Sequence, residues 1–182
     1  NPNVDPKTHP YIATGLKSSK FGIPYNYVME GYRRAAKLDN IEVVGVDCHI
    51  GSQLTEIGPF VEAANKIKDF VDILRKEGFN IKYVDMGGGV GIKYSDEVPP
   101  AISDYGAALK EVFGDMGVTL ILEPGRSMSG NGGALVTKVL YTKKNEGKRF
   151  LIVDGAMNDL PRPSLYGSFH GLEQVVEAGR KE

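Results

Sequence analysis

The sequence predicts an α/β fold built on a parallel sheet, and three features predict it. Three apolar runs, residues 41–47, 81–86 and 119–122, each stop on a polar or glycine-rich mouth. The mouths read Cys48-His49-Ile50-Gly51-Ser52-Gln53, Gly87-Gly88-Gly89 and Glu123-Pro124-Gly125-Arg126. Helical periodicity fills the intervals, and the run centres near Val44, Val84 and Ile121 lie 40 and 37 residues apart. That spacing is the rhythm of βα units feeding a parallel sheet. Barrels and open sheets of this kind both carry their sites on the face that follows the strands. A closed (βα)8 barrel takes about 250 residues, so these units form either an open sheet or part of a barrel.

Taken in order, residues 1–23 hold three prolines and two glycines with no sustained period, which reads as a long irregular connection. Residues 24–38 are expected to be helical, with Pro24 in the first turn and Tyr25, Val28, Tyr32, Ala35 and Ala36 at helical spacing. The β-branched run 41–47 resembles a strand buried on both faces. Phe60, Ala64, Ile67, Val71 and Leu74 trace the clearest amphipathic helix, and Gly78 is placed to end it. A helix over 102–113 carries Tyr105, Leu109 and Phe113 on one stripe. Past residue 132 the rhythm changes. Residues 134–142 and 149–154 read as two strands joined by a short turn with no helix between, which is antiparallel character. The division expected is therefore 1–132 for the sheet-bearing domain and 133–182 for the start of a second, β-rich one.

Composition narrows the partners. Lys+Arg 22 against Asp+Glu 23 leaves a net charge of −1, so no basic field exists for nucleic acid or an anionic membrane. Small molecules or copies of the chain itself are the expected partners. A single cysteine, Cys48, excludes an internal disulfide. No apolar run approaches the roughly 18 residues of a membrane span and no signal peptide opens the sequence, which reads as a cytoplasmic protein. Asn1 in place of a methionine, and an ending in mid-pattern, suggest an internal segment of a longer chain.

Each mouth has a plain reading and a chemical one. The glycine triplet is either a tight βα turn or a nest of bare N–H groups for a phosphate. His49 is a structural hydrogen-bonder, a base, or a flat partner for a planar cofactor. Metal ligation is disfavoured, because Cys48 and His49 are adjacent and no other ligand has a suitable spacing. Glu123 and Arg126 make an ordinary ion pair, or a carboxylate for a ring nitrogen beside a phosphate. Arg162 and Tyr166, four residues apart, suit a substrate carboxylate. Together these offer an imidazole, a phosphate nest and a carboxylate to one flat heteroaromatic phosphate.

The segments NPNVDPKTHPYIATGLKSSKFGI, GVDCHIGSQL, DMGGGVGI, LEPGRS and MNDLPRPSLY resemble, in order and spacing, the diaminopimelate branch of the alanine-racemase-fold, pyridoxal-phosphate-dependent group IV decarboxylases. The resemblance covers nearly the whole chain. It implies part of a (βα)8 barrel followed by the start of a Greek-key-like β domain. The cofactor it implies is pyridoxal 5′-phosphate, and the activity is decarboxylation of meso-2,6-diaminoheptanedioate to L-lysine in a homodimer. His49 would stack on the pyridoxal ring, Ser52, Gly88 and Gly89 would hold the phosphate with the Glu123-Pro124-Gly125-Arg126 turn beside it, and Glu123 would pair with the pyridine nitrogen. Arg126, Arg162 and Tyr166 match positions that grip the substrate's distal carboxylate. The family's Schiff-base lysine and catalytic cysteine match nothing here and are expected outside these residues; Cys48 reads as a small core residue. The 164–169 stretch SLYGSF departs toward ornithine-type enzymes. Ornithine, arginine or carboxynorspermidine decarboxylation on the same fold, a non-catalytic pyridoxal-phosphate barrel, and a sugar- or nucleotide-phosphate barrel enzyme stay open as alternatives.

Overall fold

The computed structural model describes residues 1–7, 13–16 and 18–176. The THPY segment that contributes to the resemblance therefore lies outside the described residues. The chain divides into two compact units, one made of Asn1–Ile92 with Val98–Gly132, the other of Lys93–Glu97 with the residues from Gly133 on.

In the first unit three parallel strands, β1 (Gly45–Asp47), β2 (Tyr83–Asp85) and β3 (Thr119–Ile121), lie in the order β1-β2-β3. Their register pairs Val46 with Val84 and Val84 with Leu120. Regular pairing covers fewer residues than the apolar runs suggest, but single backbone bonds carry the ladder into the mouths. Cys48 N–H donates to Asp85 O at 3.0 Å, Met86 N–H to Ile121 O at 3.1 Å and Glu123 N–H to Gly87 O at 2.7 Å.

Helices cover one face of this sheet. The helix that precedes β1, α1 (Val28–Ala35), is shorter than the predicted 24–38. It starts late because Tyr27 N–H closes a turn back to Pro24 O, and it ends early in i→i−3 bonds from Lys37 and Leu38 before Asn40 turns left-handed at φ 64. It packs at the margin, through Val28, Met29 and Tyr32. The two covering helices are α2 (Gly58–Lys76) and α3 (Ile102–Phe113). Pro59 sits in the first turn of α2 and Gly78, at φ +90, follows its end. The predicted stripe Phe60, Ala64, Ile67, Val71 and Leu74 is buried, joined by Ala63 and Phe70. These residues form one core with Val46, Cys48, Val84, Met86, Tyr105, Leu109, Val112 and Phe113. Each large side chain fully buried in this way is worth about 1.5–3 kcal/mol. Arg75 of α2 ties the layers at their far end, donating to Ile81 O at 3.1 Å and Met116 O at 2.9 Å.

The other sheet face carries Gly45, Asp47, Tyr83, Asp85, Thr119 and Ile121, and it stays largely open, with Tyr83 42% and Ile121 40% exposed. The expectation of strands buried on both faces is therefore corrected. Apolarity along 41–47 reflects one packed face plus Ile41 and Val43 outside the paired segment, while Asp47 marks the uncovered side.

Residues 1–23 form no helix or named strand among those described, yet they are anchored. Val4 is fully buried, Lys66 of α2 donates to Pro2 O and Asn3 O, and Ala13 bridges Gly51.

In the second unit β4 (Val139–Asn145) and β5 (Lys148–Val153) form an antiparallel hairpin in which Asn145 faces Lys148. Glu146 and Gly147 both have positive φ, 44° and 86°, as a two-residue hairpin turn requires. That turn sets the register and carries pairing through polar Lys143, Lys144 and Asn145, so β4 begins and ends later than the predicted 134–142. The short helix α5 (Arg162–Tyr166) follows; it and α4 (Gly125–Ser129) were not apparent in the periodicity, each being too short to show one.

Burial leaves one polar debt in the core. The Tyr105 ring packs at 4.8 Å from that of Phe60, while its hydroxyl is buried without a hydrogen-bond partner among the described residues. Tyr105→Phe is expected to stabilise the protein by about 1 kcal/mol by removing that unsatisfied group; a lowered thermal midpoint would contradict this packing. Burial also pushes the phenols of Tyr32 and Tyr105 and the thiol of Cys48 up to about 12. The folded chain then keeps protons that the unfolded chain releases. Stability accordingly falls as pH rises from the ordinary values of 9.0 and 10.0 toward 12.

Candidate functional site

Extending the parallel register two residues past the strands puts His49, Gly87 and Glu123 in one row, on the open face that already carries Asp47, Asp85 and Ile121. Two of the mouths are tied directly by side chains. Gly88 N–H donates to His49 Nδ1 at 3.2 Å, which requires the Nδ1 lone pair and puts the ring proton of the neutral imidazole on Nε2. Asp85 Oδ1 accepts Gly87 N–H at 2.8 Å and so shapes the turn that aims Gly88 at the imidazole. Thr14 Oγ1 donates to His49 O at 2.7 Å, fixing the histidine's backbone from the residues 1–23 connection.

The glycines answer first to packing. A Cβ on Gly88 would fall 2.0 Å from Glu123 O, and one on Gly89 would fall 2.2 Å from Gly51 O. Gly89 also sits at φ +108, where L side chains are strained. The three mouths therefore approach one another backbone to backbone, which only glycine permits at these positions. Chemistry is left over after that accounting. Gly88 N–H is committed to His49, whereas Gly89 N–H has no hydrogen bond among the described residues. It is open to an acceptor such as a phosphate oxygen.

On the third mouth Glu123 is exposed at the rim. Pro124 leads into α4, with Gly125 N–H bonded to Glu123 O at 2.8 Å and Gly130 N–H to Arg126 O at 2.8 Å. Ser52 and Arg126 are half-buried in the first and third mouths. Burial pushes the Asp47 carboxyl above its ordinary range, and the carboxylates of Asp85 and Glu123 push it further. The open face is thus an acidic surface with one imidazole at its edge, suited to a cationic or protonated ring. These donors fit a flat heteroaromatic phosphate: a fixed imidazole face, a free glycine N–H and a carboxylate lie on one rim.

A cavity of about 530 Å³ runs along the outer edge of β1, lined by Tyr32, Gly45, Asp47, Tyr83 and Asp85 among others. It reaches the acidic face but touches neither the Gly88–Gly89 turn nor Glu123. The rim, not this edge groove, gathers the donors.

In the other unit Arg162 and Tyr166 come together within α5. The guanidinium carbon stands 5.5 Å from the Tyr166 ring centroid and Nη2 is 3.4 Å from Ser168 Oγ. Arg162 Nε is buried without a partner among the described residues, an unanswered donor of the kind a carboxylate satisfies.

Cys48 behaves as the core residue the sequence suggests. It is 4% exposed, its Sγ lies 4.0 Å from Met86 Sδ, and burial followed by the charge of Asp47 pushes its thiol up to about 12. Native protein at pH 8 is expected to resist iodoacetamide at this position and to react once unfolded; rapid stoichiometric alkylation of the native state would contradict it. Thr14, Asp85 and the Gln53 amide, which pairs with the Ile92 backbone, escaped sequence reasoning. The partners of Thr14 and Gln53 lie 35 and 39 residues away, where nothing local announces them. Asp85 instead bonds the backbone two residues on, a local turn signal that the sequence does carry.

The family model for the pyridoxal-dependent decarboxylase, pyridoxal binding domain, matches residues 1–130. The chain is 53% identical over 175 residues to a diaminopimelate decarboxylase of Neisseria meningitidis serogroup A, covering 96% of this chain and 43% of that protein. It is 48% identical over 183 residues to one of Aquifex aeolicus, covering all of this chain and 44% of the relative. The crystal structure of diaminopimelate decarboxylase from Helicobacter pylori complexed with L-lysine is similar with a TM-score of 0.89 and 44% identity, over 94% of this chain and 43% of that one. The chain thus spans less than half the length of these relatives. An α/β unit whose three mouths meet at an imidazole, an open glycine N–H and a carboxylate, and whose first 130 residues match that domain, belongs to the pyridoxal-dependent decarboxylases.

Proposed function

We propose that the intact protein decarboxylates meso-2,6-diaminoheptanedioate to L-lysine and CO2 with pyridoxal 5′-phosphate held on the rim of the first unit. The observation that carries this reading is the His49–Gly88–Glu123 juncture, where one backbone N–H fixes the imidazole and the same glycine abuts the Glu123 carbonyl. The relatives' names supply the substrate, and L-lysine in the Helicobacter pylori complex is the product of that reaction. With this reading we take the first unit as part of a (βα)8 barrel, whose open acidic face is the barrel interior, and the second as the start of a β-rich domain. A cytoplasmic homodimer goes with it; no helix among the described residues is long and apolar enough to cross a membrane.

Each residue then has a task. His49, its tautomer set by Gly88 N–H, offers a flat neutral ring to stack on the pyridine. Gly89 N–H, with Ser52 and the Glu123-Pro124-Gly125-Arg126 turn, takes the phosphate, and Gly88 positions the histidine while bordering that phosphate. Bound pyridoxal phosphate supplies an electron sink for the pair left when CO2 departs. Glu123 holds a proton on the ring nitrogen, because a carboxylate beside a basic nitrogen favours its charged form. Arg162 and Tyr166, paired within α5, bind the carboxylate that is not lost.

The test is a substrate panel. Purified intact protein with pyridoxal phosphate is expected to release CO2 from meso-2,6-diaminoheptanedioate and not from ornithine, arginine or carboxynorspermidine. Preference for one of the latter moves the assignment to that enzyme, and no turnover on any of them favours the non-catalytic barrel.

A further inference from the structure

The first and second mouths are joined a second time, further from the imidazole. Leu54 N–H donates to Gly89 O at 2.9 Å and Gly91 N–H to Leu54 O at 2.9 Å, a short parallel zipper between the two loops. The Gln53 side chain adds a two-point lock: its Nε2 donates to Ile92 O at 2.6 Å and its Oε1 accepts Ile92 N–H at 3.1 Å. A donor facing a carbonyl and an acceptor facing an N–H leave only one amide orientation. Gln53 makes this lock from a left-handed backbone, φ 60, which a non-glycine residue adopts at a cost and keeps only where its surroundings hold it. Ile92 also reaches the third mouth. It is 5% exposed, and a Cβ on Gly130, the residue that ends α4, would lie 2.5 Å from Ile92 Cδ1.

We propose that Gln53 is a positioning residue for the cofactor phosphate, clamping through Ile92 the three loops that carry Ser52, Gly89 and Arg126. Its amide is engaged with the Ile92 backbone. Ser52 is its chain neighbour, Gly89 O is bonded to the residue after it, and Arg126 O closes the α4 turn on which Ile92 rests. A loop set of this kind needs an external lock, because hydrogen bonds from a phosphate reward only donors already in place. The inference rests on the pyridoxal-phosphate reading above.

The experiment titrates the intact apoprotein with pyridoxal phosphate and follows amide exchange at Gly91 and Ile92. Three variants are compared with wild type: Gln53→Met, which keeps length and loses both bonds; Gln53→Glu, which keeps the Oε1 acceptor but sets an oxygen against Ile92 O; and Leu74→Val, a core change in the last turns of α2. Both Gln53 variants are expected to weaken cofactor binding by about tenfold or more, the scale of one net hydrogen bond, with faster Ile92 exchange. Leu74→Val is expected to lower the thermal midpoint and leave affinity within about twofold of wild type. Wild-type affinity in the Gln53 variants, or an equal loss in Leu74→Val, overturns the clamp. Failure of wild type itself to bind pyridoxal phosphate overturns the cofactor reading, and the clamp's role with it. If Gln53→Met does not fold, Gln53→Glu decides.

Discussion

Glu123→Gln in the intact protein is expected to lower kcat for decarboxylation by about a hundredfold or more, the scale on which removing one aimed electrostatic group acts. The substitution is close to isosteric, and the rim is set by backbone: Glu123 N–H is held by Gly87 O at 2.7 Å and its carbonyl lies against Gly88. Neither contact uses the carboxylate, so the fold should change little. What the substitution would remove is the negative charge that, on the proposed reading, keeps the ring nitrogen protonated. The effect should therefore appear in kcat, with the substrate's KM nearly unchanged. Glu123→Asp, which keeps the charge on a shorter arm, should recover part of the rate. Near-wild-type turnover in Glu123→Gln would remove Glu123 from the reaction and leave it a surface carboxylate.

Arg162→Ala is expected to raise KM for meso-2,6-diaminoheptanedioate by about a hundredfold, from loss of one or two charge-assisted hydrogen bonds at roughly 1.5–3 kcal/mol each. Arg162 is preset for this task. Its guanidinium lies by the Tyr166 ring, one nitrogen reaches Ser168, and Nε is buried without a partner among the described residues. A half-buried guanidinium whose buried Nε is unanswered is expected to reject a substrate that lacks the second carboxylate, because that substrate leaves it unpaired. Ornithine should accordingly be a poor substrate of wild type and be little affected by the substitution. Lysine at 162 should not restore full activity, since it cannot reproduce the planar fork. Equal losses for both substrates would mean that Arg162 serves the second unit's structure instead of selecting a carboxylate.

How far the molecule could be read from its sequence differs from element to element. Helix α3 was legible to the residue, and α2 through its buried stripe, because a 3.6-residue period, Pro59 and Gly78 are local signals. The mouths were legible as places, since apolar runs ending in Gly, His or Glu mark strand ends. Why the mouths need their glycines was not. Gly88 is small because Glu123 O, 35 residues on, approaches it, and Gly89 because Gly51 O, 38 residues back, does. Contacts at that separation leave no local trace. The Gln53 lock is hidden for the same reason, its partner lying 39 residues away. Residues 24–38 overstated α1 because a Pro24 turn consumes the first residues, and 41–47 overstated β1 because only three residues find paired partners on β2. Arg162 and Tyr166 were legible as a pair through their i, i+4 spacing, and α5 supplies the turn that brings them together.

The most direct test of the central claim, that the three mouths of the first unit form one pyridoxal-phosphate site, is amide hydrogen exchange on the intact protein with and without pyridoxal phosphate. The account predicts slowed exchange together in the segments 49–54, 87–92 and 123–127, with the β4–β5 hairpin unchanged. Protection confined to one mouth, or centred on the edge groove of β1 instead of the rim, would contradict it.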